Sequence, residues 1–394
     1  MLANRYAHQT RQDWADRHSR RTDKVPNFPV LRIYESIRST HLSDLRTMTT
    51  GHLLYRERMY DFEERLTEHV SLERASRLQT VRRILAANEQ FIEINEPFMV
   101  RAWPSLVLYT TAARVSRSVL RKRFQLTTYA IEKNSPILPI RDLFPIPPSW
   151  VKFFVRSICA YLIKPVDRIA FGTPGAASNY RLLVPKLLSH MDVTEALELP
   201  TPCTCHGPAK KANLLFVGEF SDRKGIRQAM RLWDEVWDRA DITFTIIGQG
   251  PLLDFVVAWS KSHSNVQVVV DPPRDEIHTH LRRASTLVLL SQSTPRWREQ
   301  IGLPIMEGLA HGCEIIATDQ TGYAEWLSEN GHTVVPQDVD YKRLAEVMLD
   351  KIRTPRPAAQ IVGTLPLTSS RHDFDRWMNS ARTHNDPEAT AAGR

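Results

Sequence analysis

Residues 286–318 read TLVLLSQSTPRWREQIGLPIMEGLAHGCEIIAT. An apolar run at 286–291 is followed by a polar loop, a segment opening at Gly302-Leu303-Pro304, and a second β-branched run at 314–318. This is one βαβ unit. Pro304 suits the first turn of a helix, where its missing N–H would have had no partner, so the spacing predicts a helix from about Leu303. The same alternation extends outward through apolar runs at 213–218, 242–247, 266–270 and 333–335. Strands alternating with helices make a doubly wound parallel sheet. In the helix after the first run, Ile226, Met230, Trp233 and Trp237 recur at helical spacing and are expected to pack on that sheet.

The helix start at Leu303 falls at the carboxyl edge of the sheet, where open α/β folds bind ligands. Backbone amides near Gly302 and Leu303, at a helix N-terminus, suit a phosphate. Glu299 lies in the approaching loop and Glu307 in the helix, so the two carboxylates can serve different parts of one ligand. Each can accept hydrogen bonds from vicinal hydroxyls such as those of a ribose or hexose.

The chain has 394 residues, which predicts two domains. Its composition is 42% hydrophobic and 24% charged, enough apolar material to exclude wholesale disorder. The start shows no apolar leader and no run is long enough to span a bilayer, so a cytoplasmic protein is expected. Four scattered cysteines do not make a disulfide framework. Cys203-Thr204-Cys205-His206 imitates a metal site, but with no second Cys/His pair at useful spacing it reads as linker. Residues 1–210 carry 31 Lys/Arg and 20 Asp/Glu, net +11, against net −3 for residues 211–394, so the basic character behind the overall +8 belongs entirely to the first half. That half is expected to face an anionic surface or ligand.

The first half is less legible. A helix is expected over 61–87 and strands at 91–95, 125–131 and 167–172, with little assignable before residue 60. Residues 97–131 hold six basic residues and no acidic one. On a helical projection Arg114, Arg117 and Arg121 fall within about 60° of one another, opposite Leu108, Ala112, Val115 and Val119. Trp150–Lys164 mixes aromatic residues with Lys152, Arg156 and Lys164. Each segment alone suits an anionic membrane surface or, equally, a helix covering a sheet; their joint occurrence and the basic charge favour a peripheral role on the cytoplasmic face of a membrane. His41 and His52, with Glu93, Asn95, Glu96, Glu132, Lys133 and Asn134 at strand ends, are candidates to line a cleft. Phe374, Trp377 and Met378 suggest a last helix.

Two glutamates eight apart around Gly302-Leu303-Pro304, ahead of Glu307-Gly308-Leu309-Ala310-His311-Gly312, resemble the signature of the retaining glycosyltransferases of family 4. The resemblance covers roughly residues 212–350. It implies an α/β protein of GT-B architecture, two Rossmann-like doubly wound parallel-sheet domains facing across a cleft. The implied division is a basic arm at 1–27, an acceptor-side domain at 28–199, a linker at 200–211, a nucleotide-sugar domain at 212–353, a crossover and helix at 354–384, and a tail at 385–394. In that family the residue at Glu307 holds the ribose and the one at Glu299 contacts the transferred sugar. Val217-Gly218-Glu219-Phe220-Ser221-Asp222-Arg223-Lys224-Gly225 resembles a loop whose Arg and Lys neutralise the leaving diphosphate. Lys224 fits, while Glu219 stands at the arginine position, so that either Arg223 replaces it or Glu219 turns away. Gly248-Gln249-Gly250-Pro251 resembles a donor-side turn, Val270-Asp271-Pro272 the base-contacting backbone, and Thr321-Gly322-Tyr323-Ala324-Glu325 a further donor-side turn.

The resemblance thus implies transfer of a sugar from a nucleoside-diphosphate donor, with Lys224, Glu299 and Arg223 as catalytic residues. The donor would be bound by Gly218, Lys224, Gly248, Gly250, Val270, Gly302, Leu303 and Glu307. No D-x-D ends a predicted strand, so no cofactor and no metal are expected. The acceptor side points to a glycan or lipid-linked precursor. A nucleotide-sugar epimerase and a catalytically silent nucleotide-sugar binder are the rival readings. A nucleic-acid role is disfavoured, because the aromatic residues of the basic half do not interleave with charge as a stacking platform.

Overall fold

The computed structural model describes residues 28–59, 62–143, 147–205, 210–238, 241–294, 299 and 301–380. The arm at 1–27, the tail at 385–394 and His206 lie outside the described residues. The first sheet contains β1 (Val30–Ile37), β2 (Gly51–Arg58), β3 (Leu72–Arg74), β4 (Phe91–Ile94), β5 (Gln125–Ala130), β6 (Arg168–Phe171) and β7 (Asp192–Glu195). All pairings are parallel, in the order β3-β2-β1-β4-β5-β6-β7. Its helices are α1 (Ser39–Leu45), α2 (Arg77–Leu85), α3 (Trp103–Ser118), α4 (Ile137–Leu143), α5 (Pro148–Ile163), α6 (Pro174–Leu183) and α7 (Pro185–Leu188).

The second sheet contains β8 (Lys211–Val217), β9 (Thr243–Gly248), β10 (Val266–Val270), β11 (Ala284–Leu289), β12 (Glu314–Thr318) and β13 (Thr333–Val335). These are also all parallel, ordered β10-β9-β8-β11-β12-β13. Around them lie α8 (Ile226–Asp234), α9 (Leu253–Ser260), α10 (Arg274–Arg283), α11 (Leu303–Ala310), α12 (Ala324–Glu329), α13 (Tyr341–Arg353) and α14 (Ala358–Val362). A last helix, α15 (Ser370–Met378), crosses back and packs on β5 and β6 of the first sheet.

The six strands read in the second half are present, each within two residues of its expected start; the central β8, β11 and β12 are largely apolar and buried on both faces, while the edge strands β10 and β13 stay partly exposed. Ile226, Met230 and Trp233 are buried as expected, but α8 ends at Asp234 and Trp237 is 47% exposed. The helix expected over 61–87 is not formed as one element. A 3-10 turn at Glu64–Thr67 and β3 precede α2, and His69 adopts a left-handed φ of 66°. The helix begins only where a capping box sets it: the Ser76 hydroxyl accepts from the Gln79 amide at 3.3 Å and the Gln79 side chain accepts from the Ser76 amide at 2.8 Å.

The basic helix also differs from its projection. α3 ends at Ser118, and of the expected apolar face only Ala112 is buried: Leu108, Val115 and Val119 are exposed, while Leu106, Tyr109, Ala113 and Ser116 face the core. Arg117 is not a free surface charge. It donates to the carbonyls of Pro165 and Phe124 at 2.8 and 2.9 Å and pairs with Asp167.

A buried ion network fastens α15 to the first sheet. Arg32 on β1 donates to Glu93 on β4 at 3.2 Å and to Asp375 on α15 at 2.6 Å, and Arg371 on α15 donates to Glu93 at 2.6 Å. Burial alone would raise Asp375, but Arg32 and the Thr49 amide outweigh it and hold that carboxyl below its ordinary value of 3.8. Its contribution is therefore present above that value and is lost as pH falls. Removing one partner leaves an uncompensated buried charge, so Arg371→Met is expected to cost about 3–5 kcal/mol. Urea unfolding followed by intrinsic fluorescence measures it, and a loss below about 1 kcal/mol would mean that the network does not fasten the helix.

Candidate active site

In the second sheet the strand order reverses between β8 and β11, with β9 and β10 on one side and β12 and β13 on the other. Loops diverge at such a switch point and leave a crevice at the carboxyl ends of the strands. Lys224 reaches it after β8 through a 3-10 turn at Asp222–Lys224, and Glu299 reaches it from the loop after β11. The Lys224 ammonium sits 2.5 Å from Glu299 Oε2, which also accepts from the Ser291 hydroxyl at 3.3 Å. Both side chains are largely buried, at 14% and 9% exposure. Gly225 makes this meeting possible: at φ 73° its Cα passes so close to β11 that a Cβ would lie 1.8 Å from the Leu290 carbonyl oxygen.

Gly218, Gly248 and Gly250 interlock two adjacent loops. The Gly218 amide donates to the Ile247 carbonyl at 3.0 Å and the Phe220 amide to the Gln249 carbonyl at 2.8 Å. A Cβ on Gly248 would lie 1.9 Å from the Gly218 carbonyl oxygen, so only glycine permits that approach. Glu219, at the expected arginine position, turns to Arg223 at 2.5 Å and accepts from the Ser221 hydroxyl at 2.9 Å. Its charge is balanced within its own loop. Val270 ends β10 half-exposed, and Asp271 follows with a left-handed φ of 45°.

α11 begins at Leu303, as Pro304 foretold, with Gly302 as its N-cap residue at φ 79°. Leu303 is exposed at this end. Glu307 faces α10, where Arg274 donates to it at 2.9 Å. Burial pushes the Glu307 carboxyl above its ordinary value, with Arg274 opposing. Arg274 was not singled out in the sequence. The signal was there: a cation at the first position of a helix opposes the macrodipole, which favours anionic groups at that end. In the turn at 321–325, Thr321 donates to the Ile301 carbonyl at 3.2 Å, the Tyr323 hydroxyl reaches the Glu198 carbonyl across the domains, and Glu325 is exposed.

On the opposite side of the cleft His41 lies in α1, beyond the carboxyl end of β1, with its Nδ1 3.3 Å from the Arg38 amide. Burial and the nearby Arg371, Arg38 and Arg101 push it down to about 4, so it is neutral at physiological pH. His52 is excluded from the cleft. It sits at the amino end of β2, bound to the Ser71 hydroxyl at 2.8 Å. Glu93 and Asn95 do not line the cleft either: Glu93 is consumed by the ion network, and the Asn95 side chain accepts from the Glu35 amide at 2.6 Å. Glu96 accepts from the Ile131 and Glu132 amides at 3.1 and 3.0 Å, and burial, with Glu132 adding to it, pushes it up to about 8. Glu132 accepts from Asn134, and Lys133 bridges to the Thr321 carbonyl at 3.4 Å, so this loop spans the cleft.

Comparison with known proteins agrees with this geometry. Residues 206–362 match the family model described as glycosyl transferases group 1. No curated protein matches the sequence. Among solved structures, the apo lipopolysaccharide outer core galactosyltransferase WaaB superposes with a TM-score of 0.59 at 12% identity, covering 89% of this chain and 98% of the other. HepE of Anabaena in complex with UDP and glucose gives 0.58 at 12%, covering 89% and 95%. WaaG, a glycosyltransferase involved in lipopolysaccharide biosynthesis, gives 0.55 at 12%, covering 89% and 100%. The chain has the GT-B fold of two parallel-sheet domains, and its residues 206–362 match the group 1 glycosyltransferase model.

Proposed function

We propose that this chain transfers a sugar from a nucleoside-diphosphate donor to an acceptor with retention at the anomeric carbon. The observation that carries the reading is the Lys224–Glu299 pair at the switch point, flanked by the open N-terminus of α11 and by Glu307. An incoming diphosphate gives Lys224 a second anionic partner and frees Glu299 to accept from sugar hydroxyls. Lys224 and the first amides of α11 then stabilise the charge that develops as the diphosphate departs, in a site where fixed dipoles need no reorganisation. Glu307 accepts from the ribose hydroxyls. Arg223, drawn towards Glu219 at rest, is close enough in sequence to add its charge to the phosphates. The sequence places no D-x-D at a strand end to hold a divalent ion at the phosphates, and turnover without added magnesium or manganese is expected.

The test is turnover of a panel of UDP-, GDP- and ADP-sugars, with the released sugar's anomeric configuration followed by NMR. Release of the α-anomer from an α-linked donor supports the reading. Epimerised donor would point to the epimerase, and binding of donors without any turnover to a silent binder.

The acceptor side supports a lipid-linked or envelope-glycan substrate. No helix among the described residues is long and apolar enough to cross a membrane. α5 nevertheless exposes Trp150 and Phe153 at 66% and 68% beside Lys152 and Arg156, and the adjoining α3 end exposes Val119 at 69%. Aromatic residues mixed with basic ones suit the headgroup region of an anionic leaflet. Co-sedimentation with phosphatidylglycerol vesicles at low salt is therefore expected, with at least a fivefold loss in a Trp150→Ser, Phe153→Ser variant. Equal recovery in the supernatant with and without vesicles would end this part of the proposal.

A further inference from the structure

Cys203, Cys205, His278 and His311 converge behind the site: one ligand atom from each lies within 4.8 Å of all the others. They come from three separate parts of the chain. The thiols belong to the segment after β7, His278 to α10 and His311 to the end of α11. The sequence around Cys203 therefore shows no second Cys/His pair at useful spacing for a topological reason. The pair exists, but each histidine is supplied by a different helix.

We propose that these four residues form a closed tetrahedral site for a zinc ion. Both cysteines are free thiols, with sulfurs 2.7 Å apart, and His278 Nδ1 faces His311 Nε2 at 3.1 Å. Zinc bound by sulfur at about 2.3 Å and imidazole nitrogen at about 2.0 Å sets its ligand atoms roughly 3.3–3.8 Å apart, so small side-chain adjustments reach that geometry. His311 Nδ1 lies 2.7 Å from the Glu307 carbonyl oxygen and donates to it. This leaves the Nε2 lone pair directed at the cluster, the arrangement by which ligating histidines are usually oriented. Two thiols and two imidazoles favour zinc over hard cations. Binding releases the two thiol protons, and the resulting Cys2His2 complex is neutral, as a partly buried site requires. A simple hydrogen bond between the two histidines would account for their approach but not for two thiols placed within reach of it.

Four protein ligands leave no open position, so the ion is structural. Its effect reaches the crevice through two successive rungs between α10 and α11. One rung is the Arg274–Glu307 pair, and the second, one turn further along both helices, is His278–His311. The Cys203 amide also donates to the Ala310 carbonyl at 2.8 Å, in the last turn of α11. The ion would thus clamp the interdomain segment to the helix that carries Glu307. The consequence for donor affinity rests on the proposed function; the presence of the metal does not.

The test is elemental analysis of protein purified without metal-affinity steps. Close to one zinc per chain is expected in the wild type, and less than a tenth of that in Cys203→Ser, Cys205→Ser. Since such a variant can fail to fold, the wild type is also stripped with a thiol-reactive mercurial and a chelator and reloaded with cobalt. Intense visible bands of a tetrahedral thiolate complex, with recovery of a melting temperature lowered by several degrees on stripping, are expected. Zinc far below one per chain, with Cys203 and Cys205 reacting at once with a thiol reagent or already joined as a disulfide, would overturn the proposal. So would reloading that gives only the weak bands of octahedral cobalt. If zinc is present and its removal leaves donor KM unchanged, the clamp on Glu307 is wrong while the site stands. Chelation here acts slowly and through stability, which separates it from the immediate loss expected if a metal served the phosphates.

Discussion

Lys224→Ala is expected to lower kcat for sugar transfer by about 10²–10³-fold, the effect of removing one fixed electrostatic donor from a developing oxyanion. The donor KM should change much less, because the charge matters most when the diphosphate is leaving. The substitution also strips Glu299 of its 2.5 Å partner while leaving that carboxylate buried, with the Ser291 hydroxyl still in reach. A fall in melting temperature should accompany the loss of rate. Lys224→Arg keeps the charge and separates the two effects: stability is restored while the rate is only partly recovered, since a guanidinium cannot place a point charge where the ammonium stood. Pre-steady-state measurement of donor cleavage decides it. A Lys224→Ala enzyme within threefold of the wild-type rate would remove Lys224 from the chemistry.

Glu307→Ala is expected to act in the opposite way, raising the donor KM by about 10–100-fold with a smaller change in kcat. Each hydrogen bond from a ribose hydroxyl to a carboxylate is worth about 1.5–3 kcal/mol, and it is made in the ground state and the transition state alike. Burial lifts the Glu307 carboxyl above its ordinary 4.5, against the pull of Arg274. The protonated group has lost acceptor capacity, so donor binding weakens as the pH is lowered towards that raised value. The wild-type donor KM should therefore rise on acidification before ordinary carboxyl groups titrate, while Glu307→Gln gives a flat profile. A profile that is the same in both enzymes would detach Glu307 from the ribose.

The second sheet could be read from the sequence because its central strands hold uninterrupted apolar runs buried on both faces, as at 214–217 and 287–289, and its edge strand β10 still carries four valines in five residues. Its site residues follow those strands directly, so that finding the strand ends located Lys224, Glu299 and the start of α11. The first sheet hid its leading strand for the converse reason. β1 reads Val-Leu-Arg-Ile-Tyr-Glu-Ser-Ile, and its Arg32 and Glu35 look like surface residues. They are buried only because partners come from Glu93, Asp375 and Arg56 far along the chain. Arg274 and the Cys203, Cys205, His278 and His311 cluster were hidden in the same way, since each draws partners from another element. Projection of residues 108–121 as a helix gave an element that ends at Ser118 and a face of which only Ala112 is buried. Small residues such as Ala113 and Ser116 permit close packing, and this outweighs the larger Val115 and Val119.

Titration of UDP, GDP and ADP into the purified full chain by calorimetry, with Lys224→Ala and Glu307→Ala beside it, tests the central claim most directly. One nucleoside diphosphate should bind the wild type, at least tenfold more weakly the Glu307→Ala protein, and more weakly still a protein carrying both substitutions. A folded wild-type chain that binds none of the three, or binds one with an affinity that neither substitution changes, would contradict the placement of the donor at the β8–β11 switch point.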